Sequence, residues 1–205
     1  MPGADPRRRA GRAPHGRGSL IHGEPPASAP DLGPGALLLA SSSEDADPVF
    51  RRAVVLVLDR EPDGLVSGIV VNRPLPERVV ERSALALVFV SDPGAPVFWG
   101  GPMGDELAVL AQFSSVDGLE WFHLPVRQRR PFPLPDVGVI AVAEHADAFA
   151  GRIRRARLFV GLCVWGTGQL EAELGRGAWQ PAAATADDLF TPEPDALWER
   201  LRQRC

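Results

Sequence analysis

The 205-residue sequence has no lysine and no tyrosine, one asparagine and two cysteines. The missing lysine excludes a Walker A phosphate loop, a Schiff-base mechanism and a kinase-type nucleotide site together, because each needs an ε-ammonium at a fixed place. Cys163 and Cys205 belong to no CxxC pair and no Cys/His cluster, so neither a structural zinc nor a disulfide framework is expected. There is no GxSxG, and no serine sits in a context that marks a nucleophile. No apolar run is long enough to span a bilayer. Arg7, Arg8 and Arg9 are followed by no apolar stretch, so they do not make a twin-arginine signal. These absences predict a cytoplasmic protein without metal, cofactor or a recognisable catalytic set.

Composition divides the chain unevenly. Residues 1–33 hold six prolines, six glycines and five arginines with almost no apolar run. Such a segment buries too little to offset the entropy of ordering, and it is expected to be a disordered extension. Residues 34–205 have the apolar density of one globular domain. The extension has a net charge of +2, so the domain carries −6 of the total of −4. An acidic domain is a poor match for a nucleic-acid backbone, and no direct sequence-specific nucleic-acid binding by it is expected.

Apolar runs and turn residues place the elements. Gly35–Ala40 and Ala53–Leu58 read as strands, the second joined to Leu65–Val71 through Glu61, Pro62, Asp63 and Gly64 as a hairpin. Asn72, Arg73 and Pro74 form the exit turn, where asparagine tolerates a left-handed conformation. Glu77–Leu87 is predicted as an amphipathic helix with Val79, Val80 and Ala84 on one side. Val97–Trp99 is a short strand ending at Gly100, Gly101 and Pro102, a rigid turn expected to present backbone amides. Leu107–Phe113 and Leu119–Leu124 look like a second antiparallel pair, followed by a basic, proline-rich loop at Arg127–Pro135. Val137–Val142 is read as a strand and Glu144–Arg155 as a helix. Trp179–Ala183 reads as an edge strand, because Pro181 cannot donate to a ladder. Thr191 and Pro192 are placed at the start of a last helix with Leu197, Trp198 and Leu201 as its apolar stripe. Hairpins mixed with helices indicate an α+β fold.

The stretch from Leu158 to Leu174 joins an apolar strand, a glycine turn and a short helix. Its GTGQLE resembles a dinucleotide loop, but Glu171 stands where the third glycine belongs and puts a carboxylate near the phosphate position. Gln169, beside Trp165 at the helix start, either caps its own backbone or faces a ligand. His145 has Glu144 and Asp147 as sequence neighbours, but such spacing on a helix points the groups apart.

Three stretches together resemble the YqgE/AlgH family of bacterial proteins: DPVFRRAVVLVLD with GIVVNRPL, between Asp47 and Leu75; VFWGGP at Val97–Pro102; and FVGLCVWGTGQLEAEL at Phe159–Leu174. Leu162 and Val164 depart from the family's usual tyrosine and glycine. The resemblance implies one α+β domain with a strongly curved, mostly antiparallel sheet forming a pseudo-barrel with flanking helices. It implies no catalytic residues, only an association with transcriptional regulation. The leading expectation is a non-enzymatic regulatory or binding protein with a protein or small-molecule partner. The alternative is a small-ligand enzyme or sensor whose pocket is built from Asn72, Arg73, Gly100, Gly101, Pro102, Trp165, Gln169 and Glu171.

Overall fold

The computed structural model describes residues 32–42, 47–115, 134–142, 149 and 151–204. Within them nine strands form one sheet: β1 (Ala36–Ala40), β2 (Val54–Arg60), β3 (Val66–Val70), β4 (Pro74–Arg78), β5 (Pro96–Trp99), β6 (Met103–Phe113), β7 (Val137–Ala141), β8 (Ile153–Trp165) and β9 (Trp179–Ala183). The helices are short: α1 (Val79–Arg82), α2 (Gln169–Gly175), α3 (Ala186–Leu189) and α4 (Leu197–Arg202). No helix among the described residues is long and apolar enough to cross a membrane.

The continuous apolar runs of β1 and β2 have a direct cause, since the sheet is covered on both faces. Leu37, Leu39, Val54, Leu56 and Leu58 face one core with Leu189, Leu197, Trp198 and Leu201. Leu38, Val55 and Val57 alternate into a second core with Trp165, Leu170 and Trp179. The Trp198 indole also donates to the Ala40 carbonyl at 2.9 Å, fastening α4 to the end of β1.

The path β4-β5-β8-β3-β2-β1-β9 is open, with β6 and β7 branching from β8. The expected closure into a pseudo-barrel is therefore not found among the described strands. All their pairings are antiparallel except β5 with β8, where Val97, Phe98 and Trp99 lie beside Leu158, Phe159 and Val160. Leu158 pairs with Val97 of β5 and also with Val109 of β6, so these two strands flank β8 on opposite edges. Between them the chain must cross β8, and it does so glycine upon glycine. A Cβ on Gly101 would lie 2.2 Å from the Leu162 carbonyl carbon, and one on Gly161 only 2.4 Å from the Gly101 oxygen. The turn predicted to present amides is thus packed into the sheet. The Gly100 N–H donates to Val160 at 2.7 Å, and its carbonyl accepts from Val70 at 2.8 Å.

Other expectations need correction. The helix expected over Glu77–Leu87 is replaced by the end of β4, the four-residue α1 and a 3₁₀ turn at Leu85–Val88. Ser83 is extended (φ −158°) and its hydroxyl accepts from Ala86 N–H, which stops the helix there. Val80 is consequently exposed, and Val79, Ala86, Phe89 and Val90 carry the buried side. Asn72 is not left-handed, whereas Arg52 is (φ 55°). Thr185, with Asp188 in a reciprocal capping box, caps α3, while Thr191 precedes a 3₁₀ turn at Pro194–Ala196. Ile153–Arg155, expected to end a helix, belong to β8. Phe149 of that expected helix is buried and Gly151 and Arg152 form a turn before β8, while its residues 144–148 and 150 with His145, the strand expected at Leu119–Leu124, most of the Arg127–Pro135 loop and residues 1–31 lie outside the described residues. The edge position of β9 agrees with the sequence, Pro181 lying opposite Leu38 of β1.

Candidate ligand-binding cavity

β8 ends at Trp165, and Gly168 (φ 75°) turns the chain into α2. At the other end of α2, Gly177 (φ 75°) reverses it again into β9, with its N–H on Leu174 at 2.9 Å. Both turns need the left-handed freedom that glycine supplies. The result places Trp165, at the end of one strand, beside Trp179, at the start of another, with α2 between them. Their ring centroids are 5.8 Å apart at 80°.

Glu173 ties the two tryptophans together. Its Oε2 accepts from the Trp165 indole at 3.0 Å and the Trp179 indole at 2.7 Å. Its Oε1 accepts from the Gln169 amide at 3.0 Å and lies 3.5 Å from the Arg176 guanidinium. Burial pushes this carboxyl up, but the hydrogen bonds from Trp179, Gln169 and Trp165, together with Arg176, outweigh it and hold the group below its ordinary value. Gln169 also accepts from the Gly166 N–H at 3.0 Å, so it caps its own turn.

Beside this arrangement lies a cavity of about 640 Å³, a size suited to a small molecule. Its walls include Trp165, Trp179, Glu173 and Gln169, with Met103 and Val164 as exposed apolar residues. Phe50, from the 3₁₀ turn Pro48–Phe50, also borders the cavity, its ring packing 5.4 Å from Trp179. Asp47 caps that turn by accepting from Val49 N–H at 2.8 Å and faces the cavity as well.

Of the residues singled out from sequence, Pro102, Trp165 and Gln169 meet at this cavity. The others lie off its walls. Asn72 is spent on backbone, its Oδ1 accepting from Val54 N–H at 2.8 Å and its Nδ2 donating to the Arg52 carbonyl at 2.9 Å. Arg73 supports the Pro48–Phe50 turn, donating to the carbonyls of Val49 and Arg51 and lying 5.0 Å over the Trp99 ring. Gly100 and Gly101 serve the crossover. Glu171 forms a 2.6 Å ion pair with Arg60, whose hydrogen bond keeps its carboxyl below the usual value. Sequence reasoning missed Glu173, Trp179, Phe50, Met103 and Val164. The available signal was a carboxylate between two tryptophans, eight residues after Trp165 and six before Trp179.

Cys163 also borders the cavity, yet burial pushes its thiol up to about 12, with Arg73 opposing. It is a neutral group rather than a thiolate nucleophile. Among the described residues no three His, Cys, Asp or Glu side chains gather as a metal site.

The AlgH-like family model, DUF179, matches residues 37–205. A UPF0301 protein of Thermobifida fusca is 38% identical over 173 residues, covering 83% of this chain and 85% of its own length. One from Streptomyces avermitilis is 35% identical over 171 residues, covering 82% and 84%. Among solved structures, protein DIP2367 from Corynebacterium diphtheriae superposes with a TM-score of 0.69 at 19% identity, covering 84% of this chain and 87% of that one. The AlgH protein from Pseudomonas aeruginosa gives 0.57 at 22% identity, over 87% and 89%. At these identities the structures are likenesses of fold. The sequence match is what decides membership: this chain belongs to the AlgH-like, UPF0301 family.

Proposed function

We propose that the protein is a non-enzymatic binding protein that works in the cytoplasm, in a regulatory role, by taking a small ligand into the cavity between β8, α2 and the Pro48–Phe50 turn. The observation that carries this reading is the wall itself. Two indoles are locked by one carboxylate, while Met103 (55% exposed) and Val164 (38%) remain open to solvent. Locking side chains beforehand lowers the entropic cost of binding. A catalytic reading has less support, because the nearby thiol is neutral and both Glu173 oxygens are already engaged.

A thermal-shift screen of soluble metabolites against the wild type and Val164→Trp tests the proposal. A ligand present at 100 times its dissociation constant should stabilise the wild type by about 2.7 kcal/mol. The enlarged side chain should abolish that shift. Ligands that stabilise both proteins equally bind elsewhere and overturn the site, and turnover of a bound ligand overturns the non-enzymatic reading. Tight, salt-sensitive duplex binding by residues 34–205 would replace it with direct nucleic-acid recognition.

A further inference from the structure

Resting on the reading of this cavity as a small-ligand site, we infer that its ligand is a short, uncharged peptide, bound in extended form as an added strand on the open edge of β8. The last three residues of β8 have a neighbour on one side only. β3 pairs with Cys163, Val164 and Trp165 through Gly68, Ser67 and Val66, and the Val70 N–H on the Gly100 carbonyl puts β3 on the same edge as β5. β6 holds the opposite edge, but its ladder reaches no further than Met103 opposite Leu162. The residues preceding Met103 belong to the crossover, and among the described contacts neither Gly101 nor Pro102 makes a backbone hydrogen bond to residues 163–165. Strand residues send their N–H and C=O alternately to the two edges. At least one of these three residues therefore directs both groups away from β3, where no described strand receives them.

This edge lacks the protection found at the two ends of the strand path. There β4 and β9 contain Pro74, Pro76 and Pro181, which cannot donate to an incoming strand. Residues 163–165 include no proline and no charge. Met103 and Val164, both exposed and apolar, flank the edge instead, and the cavity lies alongside with Met103 and all three edge residues in its wall. An added strand gains affinity from main-chain bonds and specificity from a pocket that receives alternate side chains. The charges near this pocket are already matched within the protein. Glu173 is met by Arg176 and three neutral donors, Asp47 accepts from Val49, and Arg73, whose charge reaches Cys163, donates to the Val49 and Arg51 carbonyls. Two carboxylates against two guanidiniums leave no excess of either sign, so the side chain that enters beside Met103 and Val164 is neutral and apolar.

The test uses the full chain and N-acetylated, C-amidated tripeptides Ala-Xaa-Ala, with valine, aspartate or arginine in the middle. A fourth probe is the valine peptide N-methylated at every residue, which carries the same side chains without their N–H donors. Binding is read by melting temperature and by amide hydrogen exchange. The valine peptide is expected to bind about tenfold more tightly than either charged one, and N-methylation should abolish binding. At saturation it should slow exchange of at least one amide among Cys163, Val164 and Trp165 roughly tenfold, the sign of a new ladder bond. Met103→Asp and Val164→Asp, both at exposed positions, should each weaken binding without loss of folding. Ala-Val-Ala with free, charged ends separates two sources: weaker binding than the blocked form marks a stretch inside a longer chain, and tighter binding overturns the uncharged ligand. Equal binding of the N-methylated probe, or unchanged exchange at residues 163–165, overturns the added strand. Peptide binding that survives both aspartate variants places the peptide elsewhere and overturns the inference as well. If no peptide binds while a metabolite from the screen stabilises the wild type and not Val164→Trp, the peptide inference falls and the small-ligand reading stands.

Discussion

The Asn72 side chain holds Arg52 in the left-handed region: its amide donates to the Arg52 carbonyl at 2.9 Å and accepts from Val54 N–H at 2.8 Å. The strained residue and its clamp lie on opposite sides of the β2–β3 hairpin. Asn72→Ala removes both bonds and leaves the fully buried Val54 N–H without its acceptor. The expected loss is about 2–4 kcal/mol, read as a lower urea midpoint at unchanged slope. A left-handed non-glycine residue costs roughly 1–2 kcal/mol, so the penalty should shrink when Arg52→Gly is combined with it. Equal penalties in the two backgrounds would mean that the clamp does not act on Arg52.

Glu173→Gln keeps the shape of the side chain but supplies one oxygen where two are used, and sets an amide donor against a donor. At neutral pH it should destabilise the fold by about 1–3 kcal/mol. The pH dependence has a definite sign. The folded-state pKa of Glu173 is depressed, so its contribution is present above the unfolded carboxylate value of about 4.3 and is lost as pH falls through the folded value. The gap between wild type and variant should therefore be constant from pH 7 down to about pH 5 and then close. Denaturant titrations at a series of pH values check this, and a gap that widens in acid would contradict the assigned ionisation.

The residues that made the fold legible in sequence were those whose pattern is local. Ala53–Leu58 read as a strand from its continuous β-branched apolar run, and Pro181 marked an edge before any partner was known. The 77–87 stretch had a helical period in Val79, Val80 and Ala84, yet Ser83 and the packing of Phe89 and Val90 overrode it. The site was less legible because its contacts depend on two chain reversals. Gln169 stood out as an amide beside a tryptophan. Glu173 lies eight positions from Trp165 and six from Trp179, spacings that become hydrogen bonds only because α2 folds back between β8 and β9. Asn72 stood out too, but its partners at Arg52 and Val54 follow from the hairpin register.

Two glycines in the same region should respond very differently to alanine. Gly101→Ala drives a methyl to within 2.2 Å of the β8 backbone, which cannot yield as a side-chain end would. Gly168→Ala meets nothing within 4 Å but adopts φ 75°. The second should cost about 1–2 kcal/mol and fold normally. The first should fail to accumulate as soluble, cooperatively unfolding protein, since the crossover has no room for repacking. Circular dichroism melts of both variants decide the matter, and a well-folded Gly101→Ala would refute the crossover account.

Cys163 connects the crossover to the cavity, its thiol lying 3.4 Å from the Gly100 carbonyl. Burial raises its pKa to about 12, with the Arg73 charge opposing only in part, so almost no thiolate exists at pH 8. In a Cys205→Ser background, labelling by a disulfide reagent should therefore be far slower than for an unfolded control. Its rate should track unfolding as denaturant is added, because the thiol gains both exposure and an ordinary pKa in that one event. Arg73→Met should slow any residual native-state labelling further, since it removes the one charge that lowers the thiol's pKa. Rapid labelling of the folded protein at pH 8 would instead require an accessible thiolate, and would reopen the cavity to nucleophilic chemistry.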